Sequence, residues 1–177
     1  MSTSKCHFLL KGEPGVGKTT LVNKVIEKLK ETNIPLKGFY TLEIRNASKQ
    51  RIGFDLKSVE DNSSKPLARV ESSEAPGKCR VGKYTVYPEN IDSFALPLIE
   101  DFQKTRGVII IDEIGKMESF SKILFKQISK LFFNSNSIII ATCNAVGKPL
   151  PLVENIQLNP KCRIIQVNQN NRNNLVT

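Results

Sequence analysis

The stretch Gly12-Glu13-Pro14-Gly15-Val16-Gly17-Lys18-Thr19 governs the reading of the whole chain. It fits the pattern G-x-x-x-x-G-K-[ST] without a mismatch. Its glycines permit a tight turn in which successive backbone N–H groups point inward. Before it, His7 to Leu10 is a short apolar run, read as a buried strand. After it, Leu21, Val22, Val25, Ile26 and Leu29 fall at helical spacing, with Lys and Glu on the other face. A strand, a Gly-rich turn and a helix in succession form a phosphate cradle, because the helix N-terminus adds partial positive charge.

On this reading Gly12, Glu13, Pro14, Gly15, Val16, Gly17, Lys18, Thr19 and Thr20 bind the nucleotide. Lys18 is expected to reach the β- and γ-phosphates and to serve catalysis. The Thr19 hydroxyl takes a Mg²⁺ position, and Thr20 is assigned to the α-phosphate. The bland alternative, an ordinary Gly-rich strand–helix turn, ranks below this because both flanking elements match what the motif requires.

A second signal lies downstream. Val108-Ile109-Ile110-Ile111 is an all-apolar run, as expected of a strand covered on both faces of a parallel sheet, and Asp112-Glu113 follows it directly. Alone, an acidic pair at a strand end reads as a solvated turn. Paired with a phosphate cradle, Asp112 becomes a candidate Mg²⁺ holder and Glu113 a candidate for polarising the attacking water.

Around these two motifs the chain alternates strands and helices. Leu36–Ile44, Ile52–Val59 and Gly77–Tyr87 read as strands, with Glu60–Pro66 a polar loop between the second and third. Residues 45–88 look like an antiparallel insertion. Ile91–Phe102 reads as a helix kinked at Pro97, Phe120–Phe132 as an amphipathic helix and Ile138–Ala141 as another buried strand. Leu150–Asn155 reads as a short helix and Cys162–Val167 as a last strand. The Asn-rich segment Asn168–Asn174 reads as a helix start or a frayed tail. The fold class expected is α/β with a mostly parallel sheet, in one domain spanning residues 1–177.

The composition agrees with a globular chain: 40% hydrophobic and 24% charged residues, outside the disordered and collagen-like classes. No apolar run is long enough to span a bilayer as a helix, so no membrane role is expected. The four cysteines form no CxxC pair, which favours free thiols in a reducing compartment and a cytoplasmic address, the nucleus being the alternative. The net charge of +9 is spread along the chain without a basic, aromatic-interleaved run. A solvated basic surface is therefore favoured over a nucleic-acid footprint.

Several segments together resemble the family of small nucleoside-triphosphatases that includes the cancer-related nucleoside-triphosphatases and their thermophilic bacterial and archaeal relatives. They are GEPGVGKTTL (Gly12–Leu21), GFYTLEIR (Gly38–Arg45), RIGFD (Arg51–Asp55), CRVGKYTV (Cys79–Val86), IDEIGKMESF (Ile111–Phe120), GKPLPLVENI (Gly147–Ile156) and NRNNL (Asn171–Leu175). The resemblance implies a P-loop fold with a RecA-like core sheet extended by antiparallel strands. It also implies a monomeric or weakly associating, slow, Mg²⁺-dependent enzyme that accepts ATP, GTP, CTP and UTP.

Within those segments, Arg45 is a candidate for stabilising charge on the γ-phosphate, with a structural ion pair as the equal alternative. Arg172 is a candidate for stacking on the base. Arg80 is a weaker version of Arg45, Lys116 reads as structural, and Lys148 lies in a loop on the expected ligand side. Asn144 is either a sensor of the γ-phosphate or a turn residue, in a stretch (Ala141–Asn144) that departs from the family's pattern. Two other functions use the same cradle. A small-molecule or nucleotide kinase would need an acceptor pocket and an Arg-rich lid, and only single arginines are present. A nucleotide-dependent switch binding RNA or a protein would show steep salt dependence toward RNA.

Overall fold

The computed structural model describes residues 7–70, 79–100 and 106–175. Among these residues one nine-stranded sheet is formed, in the order β5-β6-β4-β3-β2-β7-β8-β1-β9. The strands are β1 (His7–Gly12), β2 (Leu36–Arg45), β3 (Arg51–Ser58), β4 (Ser64–Val70), β5 (Arg80–Val81), β6 (Tyr84–Val86), β7 (Val108–Ile111), β8 (Ile138–Asn144) and β9 (Cys162–Gln166). From β2 to β9 every pairing is parallel, and from β2 to β5 every pairing is antiparallel. The antiparallel half grows from β2 itself, which pairs with β7 on one edge and β3 on the other. The sheet is thus α/β and mixed, with an antiparallel part as wide as the parallel one.

Side chains on β1 and β7 alternate between the faces, as the two-residue period of a strand requires. Leu10, Val108 and Ile110 pack with Leu21, Val22 and Ile26 of helix α1 (Lys18–Lys30). Leu9, Ile109 and Ile111 face the opposite way, against Leu124, Ile128, Leu131 and Phe132 of helix α4 (Lys122–Asn134). Ser121 starts α4 by accepting the Leu124 N–H at 2.9 Å, an N-cap that the following apolar stripe depends on. Helix α5 (Pro151–Gln157) closes the same face, with Pro151 in its first turn, where no N–H is missed.

Two expectations need correction. Glu60–Pro66 does not form a loop throughout: β4 begins at Ser64 and includes Pro66. Proline is tolerated there because it sits opposite Asp55, beside the register shift between Phe54 and Asp55, where the ladder is already interrupted. Nor is Ile91–Phe102 one kinked helix. The helical path starts earlier, at α2 (Pro88–Asn90), and continues as a wide π turn over Ile91–Ala95 and then α3 (Pro97–Glu100), while Phe102 lies outside the described residues. Pro97 has no N–H to continue a ladder, and the preceding turn widens so that the Leu96 N–H reaches the Ile91 carbonyl at 3.2 Å. The strand read over Gly77–Tyr87 is a small hairpin of β5 and β6 around Gly82, its first two residues lying outside the described set. The Asn-rich segment forms turns.

β8 lies between β1 and β7. The Gly-rich loop after β1 and the acidic pair after β7 are therefore separated by one strand. Both motifs emerge at the carboxyl edge of the parallel strands, where such sheets bind ligands.

Candidate active site

The loop after β1 has the backbone its glycines allow. Gly15 and Gly17 adopt φ of +76° and +102°, where a Cβ is disfavoured. The first helical turn then closes with Leu21 N–H on the Gly17 carbonyl at 2.9 Å. The loop is pinned from both sides. The Ala145 N–H donates to Gly12 O at 3.0 Å, and Val167 N–H donates to Lys11 O at 2.7 Å. Lys18 Nζ donates to the Gly12 and Glu13 carbonyls at 2.8 and 3.0 Å, so the ammonium is held on the loop it follows.

Asp112 is the junction of the site. Its side chain is 1% exposed. Its Oδ2 accepts the Thr19 hydroxyl and its Oδ1 accepts the Thr142 hydroxyl, each at 2.7 Å. Thr41 donates to its backbone carbonyl at 3.1 Å. Burial raises its pKa, while the hydroxyl donors and Lys18 act in the opposite sense. Desolvation of a carboxylate held by neutral hydroxyls is what a nearby cation would relieve. The donors here are all oxygen atoms, as a hard divalent cation prefers.

Glu113 follows in a left-handed conformation, φ +89°, unusual for a residue with a side chain. Such backbone strain persists only where the surroundings enforce it. Ile114 supplies part of that, its N–H bonded to the Thr142 carbonyl at 2.8 Å. Burial first, and the Asp112 charge second, raise the Glu113 pKa, with Lys18 opposing. Behind it lies Glu118, 2% exposed, whose Oε2 accepts the Gly115 N–H at 3.1 Å. Burial and the Glu113 charge hold the Glu118 carboxyl well above the usual range.

Two cavities flank this centre. One, about 460 Å³, is lined by Gly12, Glu13, Pro14, Gly15 and Val16 of the loop together with Ala145 and residues 166–169. The other, about 280 Å³, is lined on one side by Glu113 and the following turn, and on others by Phe54, Leu67, Val81 and Leu150.

The expected residues do not all converge. Thr19, Lys18, Asp112 and Glu113 come together, and Thr20 lies exposed on the first turn of α1. Arg172 joins them indirectly: its Nη1 donates to the Val16 carbonyl at 3.0 Å, and its side chain packs beside Gly17. Arg45 does not. It ends β2 at the β2–β3 turn, ion-paired with Glu43 and donating to the Lys49 carbonyl at 2.6 Å, its side chain 55% exposed. Since Phe39 is in register with Ile111, β2 carries Arg45 well past the level of Asp112. The structural ion pair is the arrangement present. Arg80 is exposed on β5, and Lys116, Lys148 and Asn144 line the smaller cavity. Thr41, Thr142 and Glu118 had no assigned role in the sequence. A hydroxyl at the polar end of an apolar strand marks Thr142 faintly, whereas nothing local marks Glu118 as buried.

Comparison with known proteins identifies the family. A protein-family model described as NTPase matches residues 7–177. The chain is 40% identical to the cancer-related nucleoside-triphosphatase of Homo sapiens over 177 residues, covering 96% of this chain and 92% of that protein. It is 36% identical to the nucleoside-triphosphatase THEP1 of Thermotoga maritima over 169 residues, 96% of this chain and 90% of that one. The solution structure of the human protein superposes with a TM-score of 0.81, covering 97% of this chain and 93% of that chain. The crystal structure of THEP1 from Aquifex aeolicus superposes at 0.82 with 32% identity, covering 96% and 94%. With the P-loop, the acidic pair and the intervening strand in place, the chain belongs to the P-loop nucleoside-triphosphatase family of the cancer-related nucleoside-triphosphatases and THEP1 proteins.

Proposed function

We infer that this protein hydrolyses nucleoside triphosphates to the diphosphate and phosphate, with the Gly12–Thr19 loop as the phosphate cradle. The observation that carries the reading is the Thr19–Asp112 hydrogen bond, which brings the first helix of the loop motif onto the acidic strand end beside Glu113. Loop N–H groups and Lys18 stabilise charge on the β- and γ-phosphates. Lys18 would exchange its two carbonyl partners for phosphate oxygens. Glu113 orients the attacking water and takes its proton.

Mg²⁺ fits the donor set. Thr19 and Asp112 would hold it, with Thr142 keeping the Asp112 carboxylate oriented from its other oxygen. Among the described residues no cluster of three or more His, Cys, Asp or Glu side chains could hold a metal ion. Mg²⁺ needs none when substrate phosphates and waters complete its shell. When bound, the ion would neutralise phosphate charge as it is transferred.

Breadth toward ATP, GTP, CTP and UTP is supported by the lining of the larger cavity. Beyond the loop it offers Ala145 and Val167 with the amides of Gln166, Asn168 and Gln169, each of which carries both a donor and an acceptor and so can meet more than one base edge. Arg172, anchored on the same loop, is assigned to stacking on the base, a contact that tolerates any of them. Phosphate release from the four nucleotides with Mg²⁺, compared between the protein and Glu113→Gln, tests the assignment. Release from several nucleotides that is lost in the variant supports it, and release unaffected by the variant removes Glu113 from its role.

A further inference from the structure

The cavity of about 280 Å³ next to Glu113 is larger than hydrolysis requires. One water takes about 30 Å³ of liquid volume. A site for nucleophilic water alone has no use for a chamber near the lower bound of small-molecule pockets, about 300 Å³. Part of its wall is also apolar, which water alone does not call for. Phe54 of β3 and Val81 of β5 contribute half-buried apolar side chains, and the fully buried Leu67 of β4 completes that wall, so three of the antiparallel strands meet there. Leu150 and Val153 form the facing wall, at the start of α5.

The polar groups in this chamber are specific. Glu113 lines it and is also within the electrostatic reach of Lys18, so one carboxylate serves both the phosphate cradle and the chamber. Lys116 and Lys148 line it too, and neither enters an ion pair among the described residues. Glu118 is already committed to the Gly115 N–H. The end of β8 partitions the two cavities: Cys143, Asn144 and Val146 face this chamber, while Ala145 faces the nucleotide side.

We propose that this chamber is an acceptor site for a small organic alcohol that carries an apolar body and an anionic group. The proposal rests on the phosphate-cradle assignment above. The apolar body lies against Phe54 and Val81, and the anion is met by Lys116 and Lys148. The hydroxyl is placed at Glu113, where water would otherwise stand. In the transfer, the acceptor oxygen forms a bond to the γ-phosphorus as the bond from that phosphorus to the β–γ bridging oxygen breaks. The nucleoside diphosphate leaves with that electron pair. Glu113 accepts the hydroxyl proton and later releases it to solvent, so the products are a phosphate monoester, the diphosphate and one proton. Hydrolysis is then the reaction of the same centre with its second site empty of acceptor.

The probe is 4-(hydroxymethyl)benzoate, which has the hydroxyl, the ring and the carboxylate, with 4-methylbenzoate as the control lacking the hydroxyl. γ-³²P-labelled ATP and Mg²⁺ are supplied, and labelled ester and labelled phosphate are separated. The expected result is saturable formation of the labelled ester, competed by 4-methylbenzoate. Val81→Trp, which fills the chamber from a half-buried strand position, is expected to lower ester formation at least tenfold and to leave phosphate release within twofold. Lys148→Ala is expected to raise the KM for the probe at least fivefold, a second readout should the Trp variant fold poorly. No ester, together with no effect of 4-methylbenzoate on backbone amide resonances around the chamber, overturns the proposal while phosphate release continues. Ester formed equally well by Val81→Trp also overturns it. Loss of phosphate release and of ATP binding in the unaltered protein would instead indict the cradle assignment itself.

Discussion

The Thr19 hydroxyl donates to Asp112 Oδ2 at 2.7 Å across 93 residues of sequence, and Thr142 holds the other oxygen of the same carboxylate at the same distance. Three separate chain segments thus meet on one buried side chain. The site is defined by this junction more than by any single motif, since each hydroxyl satisfies part of what burial costs the carboxylate.

Removing the Lys18 ammonium deletes charge-assisted hydrogen bonds to the phosphates, each worth roughly 1.5–3 kcal/mol. Lys18→Ala should therefore raise the Kd for a triphosphate about tenfold or more. Titration of a fluorescent nucleotide analogue measures it, and unchanged affinity would mean that the loop does not bind the phosphates.

Glu113→Gln keeps shape and removes the proton acceptor. Turnover should fall by about 10²–10⁴-fold, the usual worth of a general base, while nucleotide affinity stays within a few-fold. Single-turnover phosphate release alongside equilibrium binding separates the two effects.

Glu118 yields a prediction about pH. Its carboxyl is raised well above 4.5 in the fold by burial and by the Glu113 charge, so the folded state retains a proton that the unfolded chain releases. Stability linked to this group is therefore intact below pH 4.5 and declines as pH rises through the window up to the folded value. Glu118→Gln keeps an oxygen for the Gly115 N–H and has no charge to desolvate. Its melting temperature should match the parent near pH 4 and exceed it at pH 8. Parallel melting curves at the two pH values would contradict this if their difference did not change.

Gly38 has φ +115°, and a Cβ there would stand 2.0 Å from the Ile110 carbonyl oxygen, inside the β2–β7 pairing. Gly38→Ala combines overpacking with backbone strain and should cost about 3 kcal/mol or more. Chemical denaturation reads this directly, and a midpoint unchanged from the parent would show that the two strands can separate without penalty.

Arg45→Ala should leave turnover within about twofold, because the guanidinium is engaged by Glu43 and the Lys49 carbonyl at an exposed turn. Stability should change by no more than about 1 kcal/mol, as for other exposed pairs. A hundredfold loss of phosphate release would bring Arg45 back to the γ-phosphate.

Local physics made much of this protein readable from its residues. The Gly12–Thr19 loop follows from backbone freedom and helix-end charge, which neighbouring residues supply to one another. The apolar runs of β7 and β8 follow from burial on both faces, and the stripe on α4 from a 3.6-residue period. The strand at Ser64–Val70 was obscured because Pro66 interrupts the alternation, and only pairing with β3 and β6 holds it extended. Arg45 looked like Arg172 in sequence, each a lone arginine in a matching segment. Strand register decides between them: β2 overshoots the edge where the parallel strands end, whereas the turns after β9 fold back onto Val16 and Gly17. Likewise Thr142 is marked only faintly and Glu118 not at all, since burial of a polar side chain depends on which distant elements cover it. Composition and spacing determined the phosphate cradle, the acidic pair and the fold class. The meeting of Thr19, Thr142 and Asp112, and the chamber formed by β3, β4 and β5 beside Glu113, were decided only by the tertiary structure, because contacts between distant segments are set by strand order and register.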